Sequence, residues 1–218
     1  MNEHSLHSAI KDWYSLPGDE FEVTVDAFII DIAREDLLIE IQTRNFSAIK
    51  KKLERLIRKH KILLVYPIPR RKWIIRTTKS GKIINRRKSP RKGKLTDLFY
   101  ELVSFPHLIT EKNFSMEVLM IDEEEVRCDD GRGSWRRRGV SIKDRRLRDV
   151  AEIVPFHNEH DFSRFLINDH NEPFSNRNLA ELKGIPINLA RKITYCLRKM
   201  NVITSVGKNG RELLFKTC

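Results

Sequence analysis

Apolar residues recur along this chain with two periods, and the changes from one period to the other mark out its elements. Leu6, Ala9, Ile10 and Trp13 fall at i, i+3, i+4 and i+7, which predicts a short amphipathic helix closed by Leu16-Pro17-Gly18-Asp19. Residues 21–33 are rich in β-branched and aromatic side chains and read as one long strand with no internal turn. The pattern resumes over residues 37–43, across Arg34-Glu35-Asp36. Asn45 stands where it would cap a helix whose apolar face is Phe46, Ile49, Leu53, Leu56 and Ile57. The opposite face carries Lys50, Lys51, Arg55, Arg58 and Lys59. Residues 62–66 form a short continuous apolar run, as a buried parallel strand does. Strand, helix and strand make a crossover unit, so the first half is expected to be α/β.

Later segments follow a different pattern. Residues 95–102 are helical in pattern and Pro106 ends them. Residues 114–127 begin as a strand and become acidic, and Asp129-Asp130-Gly131 marks a turn. The arginine-rich stretch after it, residues 134–149, reads either as a second basic contact surface or as a solvated helix. Phe162, Phe165 and Leu166 suggest a helix, and Leu179 and Leu182 a second one after Ser175 and Asn176. Gly184-Ile185-Pro186 turns the chain into a third, with Ile187, Ala190, Ile193, Leu197 and Met200 on its apolar face. Asn188, Arg191, Lys192, Tyr195, Arg198 and Lys199 lie opposite. Residues 202–206 and 212–216 flank Gly207-Lys208-Asn209-Gly210, and Asn-Gly is a strong hairpin signal. Helices followed by a hairpin are the order of a winged helix-turn-helix, which lays its basic helix in the DNA major groove and its wing on the backbone. Three segments are therefore expected: a core over residues 1–94, a connecting region over 95–155 and a winged-helix unit over 156–218.

Composition sharpens the choice of partner. The 218 residues carry 42 Lys and Arg against 30 Asp and Glu, a net charge of +12, which calls for a polyanion. No 18-residue apolar run, signal peptide or lipidation motif is legible, so nucleic acid is expected rather than a membrane. Cys128, Cys196 and Cys218 are odd in number and far apart, which suits reduced thiols in a cytoplasmic protein rather than disulfides or zinc. From Arg55 to Thr96 there is no Asp or Glu, while residues 70–94 hold twelve Lys or Arg. A turn at Lys79-Ser80-Gly81-Lys82 makes that run a hairpin that would track phosphates through Lys79, Lys82, Arg86 and Arg87.

The chemistry rests on Asp31, Glu40 and Gln42, which interrupt apolar strands. With Glu35-Asp36 as a two-residue turn, cross-strand partners have numbers summing to 71, so Asp31 faces Glu40. Alternation puts Gln42 on the same face as Glu40. Two opposed carboxylates repel unless one holds a proton or a cation lies between them. Mg²⁺, with Mn²⁺ as a substitute, would resolve that, the carbonyl of Ile41 being a further donor. Such an ion polarises a phosphoryl oxygen and acidifies an attacking water. The helix N-terminus behind Asn45, with Lys50 one turn in, would favour an anion in the same region.

Asp31, followed nine positions later by Glu40-Ile41-Gln42, resembles the active-site pattern of the PD-(D/E)XK nuclease superfamily. The order of helix, acid-bearing strands, crossover helix and parallel strand is similar too, over residues 5–67. The resemblance implies a restriction-endonuclease-like fold and metal-dependent phosphodiester hydrolysis, with Asp31 and Glu40 as metal ligands. Gln42 stands where Lys is usual, a substitution found in some restriction endonucleases, and Ile30 replaces the usual Pro. The superfamily also has a separate strand before the one that bears the Asp. The leading expectation is thus an endonuclease acting on DNA. A catalytically inert DNA-binding regulator or assembly factor, and a nuclease acting on structured RNA, are the alternatives. Cutting both strands of a duplex needs two sites, which a homodimer would supply.

Overall fold

The computed structural model describes residues 5–166 and 172–218. Helix α1 (Ser5–Tyr14) precedes a run of strands: β1 (Glu20–Val25), β2 (Phe28–Arg34) and β3 (Leu37–Ile41). Helix α2 (Phe46–Leu56) then leads to the long strand β4 (Lys61–Thr77) and to β5 (Ile83–Lys88). After helix α3 (Phe99–Leu102) come β6 (Phe114–Asp129) and β7 (Val140–Phe156). These seven strands form one mixed sheet in the order β1-β2-β3-β4-β6-β7, with β5 paired to β4. β3 and β4 are parallel and α2 is their crossover, as the apolar periods require. The fold is mixed α/β.

Two features of the sheet differ from the expectation. Residues 21–33 are a hairpin and not one strand, because Asp26 and Ala27 turn the chain at φ 46° and 68°. Asp tolerates left-handed backbone, but an alanine there is disfavoured by its Cβ, so the pair does not read as a hairpin turn. The hairpin supplies a separate strand ahead of the one that carries Asp31. Residues 95–155 also do more than connect. β6 and β7 complete the sheet, which therefore crosses the boundary drawn at residue 94. The arginine-rich stretch is strand β7 after a single turn of 3-10 helix at Trp135–Arg137, and not a helix.

The sheet is covered on both faces. Leu6 and Ile10 of α1 pack on Ile32, Ile39, Ile41, Val65, Leu119 and Ile121. Phe46, Leu53 and Leu56 of α2 pack on the other face with Leu38 and Leu64, although Trp13 of α1 remains exposed. That second core continues without a break through Phe99, Phe105, Phe156 and Phe162 into the C-terminal residues Leu189, Ile193 and Phe215.

At the C-terminus a 3-10 helix (Glu159–Phe165) stands where the first helix was expected. A short strand β8 (Phe174–Ser175), helix α4 (Asn176–Lys183), helix α5 (Ile187–Lys199), and strands β9 (Ile203–Asn209) and β10 (Glu212–Thr217) follow. Ser175 caps α4 by accepting from the Asn178 N–H, as its position suggested. The hairpin turn is the pair Gly210-Arg211 rather than four residues, and Gly207 lies inside β9 at an irregularity opposite β10. On α5, Leu189 and Cys196 are buried with Ala190, Ile193 and Leu197, whereas Ile187 faces outward, as does Leu182 on α4. No helix among the described residues is long and apolar enough to cross a membrane.

Candidate functional site

The Glu35-Asp36 turn fixes the β2–β3 register as expected: Ile32 pairs with Ile39, Ala33 with Leu38 and Arg34 with Leu37. One step further, where Asp31 would meet Glu40, the ladder stops. There the Asp31 carboxylate takes the place of a ladder carbonyl and accepts the Ile41 N–H at 2.7 Å. β1 is irregular at the same level, with Glu22 at φ 54° and no partner pairing between Val23↔Ile30 and Phe21↔Ile32. Ile30 packs with the α2 side of the core and Ile32 with the α1 side, so β2 changes face across Asp31. A strand that parts from its neighbour at an acid leaves backbone groups there to be answered by side chains.

Two further side chains, His7 and Lys52, converge on the two acids at this gap. Nε2 of His7, from α1, lies 3.3 Å from Asp31 Oδ2. Lys52, from α2, places Nζ 2.5 Å from Glu40 Oε2 and donates to the Ile29 carbonyl at 2.5 Å. Both members of the Lys52–Glu40 pair are well buried, with side chains 14% and 9% exposed. Burial raises the Asp31 pKa, but the hydrogen bond and charge of His7, the Ile41 N–H and the Lys52 charge outweigh it and hold the carboxyl below its ordinary range. For Glu40 the balance reverses. Burial first, and then the negative charge of Asp31, push its pKa up to about 7 against the pull of Lys52. One acid of the pair stays ionised while the other titrates near neutrality.

The remaining expected residues fall elsewhere. Gln42 does not join the acids: its Nε2 donates to the Arg44 carbonyl at 2.5 Å and the Asn45 carbonyl at 3.1 Å, bracing the turn into α2. The Ile41 peptide contributes its N–H to Asp31. Asn45 makes no side-chain cap; the Glu101 carboxylate accepts the Phe46 N–H at 3.0 Å and satisfies that helix end instead. The anion expected there is thus a carboxylate of the chain itself. Lys50 pairs with Glu54 along the helix at 3.7 Å, away from the gap. Lys52, which the sequence reading passed over, is the lysine that reaches it. Its signal was position, three residues after Ile49 and four before Leu56, at the border of the apolar stripe. Of the neighbouring acids, Glu22 pairs with Lys11 at 2.7 Å and Asp26 with Lys59 at 3.4 Å. Among the described residues no group of three or more His, Cys, Asp or Glu is arranged to hold a metal ion. His157 and His160 lie at an exposed turn, and His170 is outside the described residues.

The basic hairpin forms as expected, with β5 antiparallel to the end of β4. The arginines and lysine that β4 contributes to it are answered by β6. Asp122 binds Arg70 and Arg71, Glu123 and Glu125 flank Lys72 at 3.1 Å, and Asp129 takes Arg76 at 2.8 Å. Arg86 is held by Glu124 at 3.0 Å and lies over the ring of Trp73. Lys79, Lys82 and Arg87 stay exposed, with no ion pair among the described residues. On α5, Arg191, Tyr195 and Arg198 are exposed and Lys192 half-buried, so the expected outward face is present.

The chain is therefore a mixed α/β protein with a half-buried Asp31 and a buried Glu40 at a break in its sheet. It belongs to the family described as "Domain of unknown function (DUF8091)", whose model matches residues 4–157, from α1 to the end of β7. It is also 28% identical over 215 residues to an "Uncharacterized protein" of Treponema pallidum (strain Nichols), covering 98% of this chain and 85% of that relative. No solved structure matches it.

Proposed function

We propose that the chain is a metal-dependent endonuclease of the PD-(D/E)XK type that hydrolyses phosphodiester bonds in DNA, with a winged helix at its C-terminus. The observation that carries this reading is the Asp31–Glu40 pair at the parted ends of β2 and β3, with Lys52 against Glu40. The donor set suits Mg²⁺, which is commonly bound by one or two carboxylates and completes its octahedron with water and substrate phosphate. Asp31 and Glu40 would hold the ion. When bound it polarises the phosphoryl group and acidifies water. Lys52 would supply the fixed positive charge near the phosphate that a lysine at the position of Gln42 would otherwise give as negative charge builds. His7 holds Asp31 ionised and oriented. The test is incubation with plasmid and with structured RNA in Mg²⁺, Mn²⁺ or EDTA. Nicking of plasmid in Mg²⁺ or Mn²⁺ but not EDTA is expected. Binding without cleavage under every condition would assign the inert regulator instead, and cleavage confined to RNA would move the substrate class.

Two further outcomes follow. Gln42→Ala removes two donors from the turn that positions α2, so it should lower both cleavage and stability, the latter by about 1–2 kcal/mol. Gln42→Lys keeps donors for the same carbonyls and should retain activity. Activity and melting temperatures matching the wild type in both variants would make Gln42 a bystander. On α5, the double change Arg191→Ala and Lys192→Ala should weaken duplex binding and flatten the plot of log affinity against log salt by ~0.9 per lost phosphate contact. Salt-sensitive binding should persist through Lys79, Lys82 and Arg87, and cleavage should persist at high protein concentration. An unchanged affinity and slope would turn α5 toward a protein partner.

A further inference from the structure

Trp135, on the loop between β6 and β7, is 83% exposed, more than any other large apolar side chain among the described residues. The loop that holds it is firmly built. The Gly133 N–H donates to the Gly139 carbonyl at 2.8 Å, and the Arg137 N–H to Ser134 at 2.9 Å. Asp130 accepts from the Arg132 N–H at 3.0 Å and the Ser141 hydroxyl at 2.8 Å, and pairs with Lys143 at 3.1 Å. Gly133 is packed so closely that a Cβ there would stand 1.9 Å from the Val140 carbonyl oxygen. The indole is thus held out in water by a braced turn.

Its neighbours are cationic and unanswered. Arg132, Arg136, Arg137 and Arg138 form no ion pair among the described residues, and Arg136 lies 5.6 Å from the Trp135 ring centroid. On the adjoining strands the pattern is opposite: Arg76, Arg86, Arg127 and Arg148 each hold an acidic partner. The loop also stands between two arginine-lined cavities. One, of about 390 Å³, is lined by Arg132 and Arg137 with Arg44 and Arg145, and by Thr43 just past the strand that carries Glu40. The other, of about 470 Å³, is lined by Arg136, Arg137 and Arg138 with Arg76 and Arg87.

We infer that residues 131–139 bind single-stranded nucleic acid, one base stacking on Trp135 and the flanking phosphates lying in the two arginine-lined cavities. A duplex hides the faces of its bases, so only an unpaired base can use an exposed indole in this way; base–aromatic stacking beside arginines is how sequence-tolerant single-strand sites work. A membrane contact suits the loop less well, since it depends on buried apolar area and Trp135 is the loop's sole large apolar side chain. The inference rests on the nucleic-acid reading above and narrows it: the strand reaching the Asp31–Glu40 gap would be unpaired on the side of Arg44.

The full chain, in EDTA so that nothing is cut, should be titrated against a labelled oligothymidylate, a duplex of equal length and anionic vesicles. Trp135→Ala should weaken oligothymidylate binding roughly tenfold or more while duplex affinity stays within about twofold. Trp135→Phe should keep most of the single-strand affinity. Unchanged oligothymidylate binding, an equal loss on both polymers, or a loss confined to vesicles would each overturn the inference. Failure of the nuclease reading shows separately, as Trp135-dependent single-strand binding with no cleavage in Mg²⁺.

Discussion

Glu40→Gln is expected to abolish metal-dependent cleavage and, at pH 8, to raise the melting temperature. The first effect follows from losing one of two carboxylates that would hold the ion, and should reach on the order of 10³-fold or more. The second follows from linkage. The folded state raises the Glu40 pKa from 4.5 to about 7, so it keeps the proton over a window where the unfolded chain releases it. Stability conferred by that proton is complete below the unfolded value and is lost as pH rises through the folded one. At about 1.4 kcal/mol per pH unit, the ionised Glu40 costs about 3 kcal/mol at pH 8. Gln mimics the protonated acid and should recover that amount at pH 8 and little at pH 5. Asp31, whose pKa is lowered, contributes in the opposite sense and only in the acid range, so it does not disturb the comparison. Thermal melts at the two pH values, beside a plasmid assay, test both halves. A melting-temperature offset equal at pH 5 and pH 8 would sink the electrostatic account, and retained cleavage would sink the site.

Lys52→Met should do the reverse to stability and the same to activity. It removes the cation 2.5 Å from Glu40 Oε2 and leaves a buried carboxyl beside Asp31 with only the more distant His7 to offset its charge. Without that cation Glu40 keeps its proton to still higher pH, so the added cost at pH 8 is that of holding a proton the unfolded chain releases, about 1 kcal/mol. The loss should therefore be larger at pH 8 than at pH 5, where Glu40 is already neutral. Cleavage should fall by on the order of 10²-fold, the usual cost of one electrostatic group at a developing charge. Adding Glu40→Gln to Lys52→Met should restore stability at pH 8 without restoring cleavage. Full activity of Lys52→Met, or a double variant no more stable than the single one, would remove Lys52 from the site.

The parts of the site legible in the sequence were those set by local rules. A two-residue turn at Glu35-Asp36 fixes register within a few residues, which brings Asp31 and Glu40 together whatever the rest of the chain does. The stripe from Phe46 to Ile57 likewise fixes which face of α2 is buried, and with it the parallel crossover to β4. The turn at Asp26-Ala27 was not legible because Ala27 is not a residue such turns favour beside Asp26, and Gln42 was misplaced because strand alternation ends where β3 ends.

By itself the sequence determined the apolar faces of α1, α2 and α5, the β2–β3 register, the closeness of Asp31 to Glu40 and the outward basic face of α5, because periodicity and turn chemistry act over a few residues. Tertiary structure alone decided which charges remain available. Arg71 and Lys72 meet their acids on β6 some fifty residues away, at separations of 51 and 53. Phe46 finds its cap 55 residues on, at Glu101. An ion pair or a cap is chosen by distance in space, so the β4 part of an acid-free run was neutralised by β6, Lys52 rather than Lys50 faced the carboxylates, and the unanswered arginines came to surround Trp135.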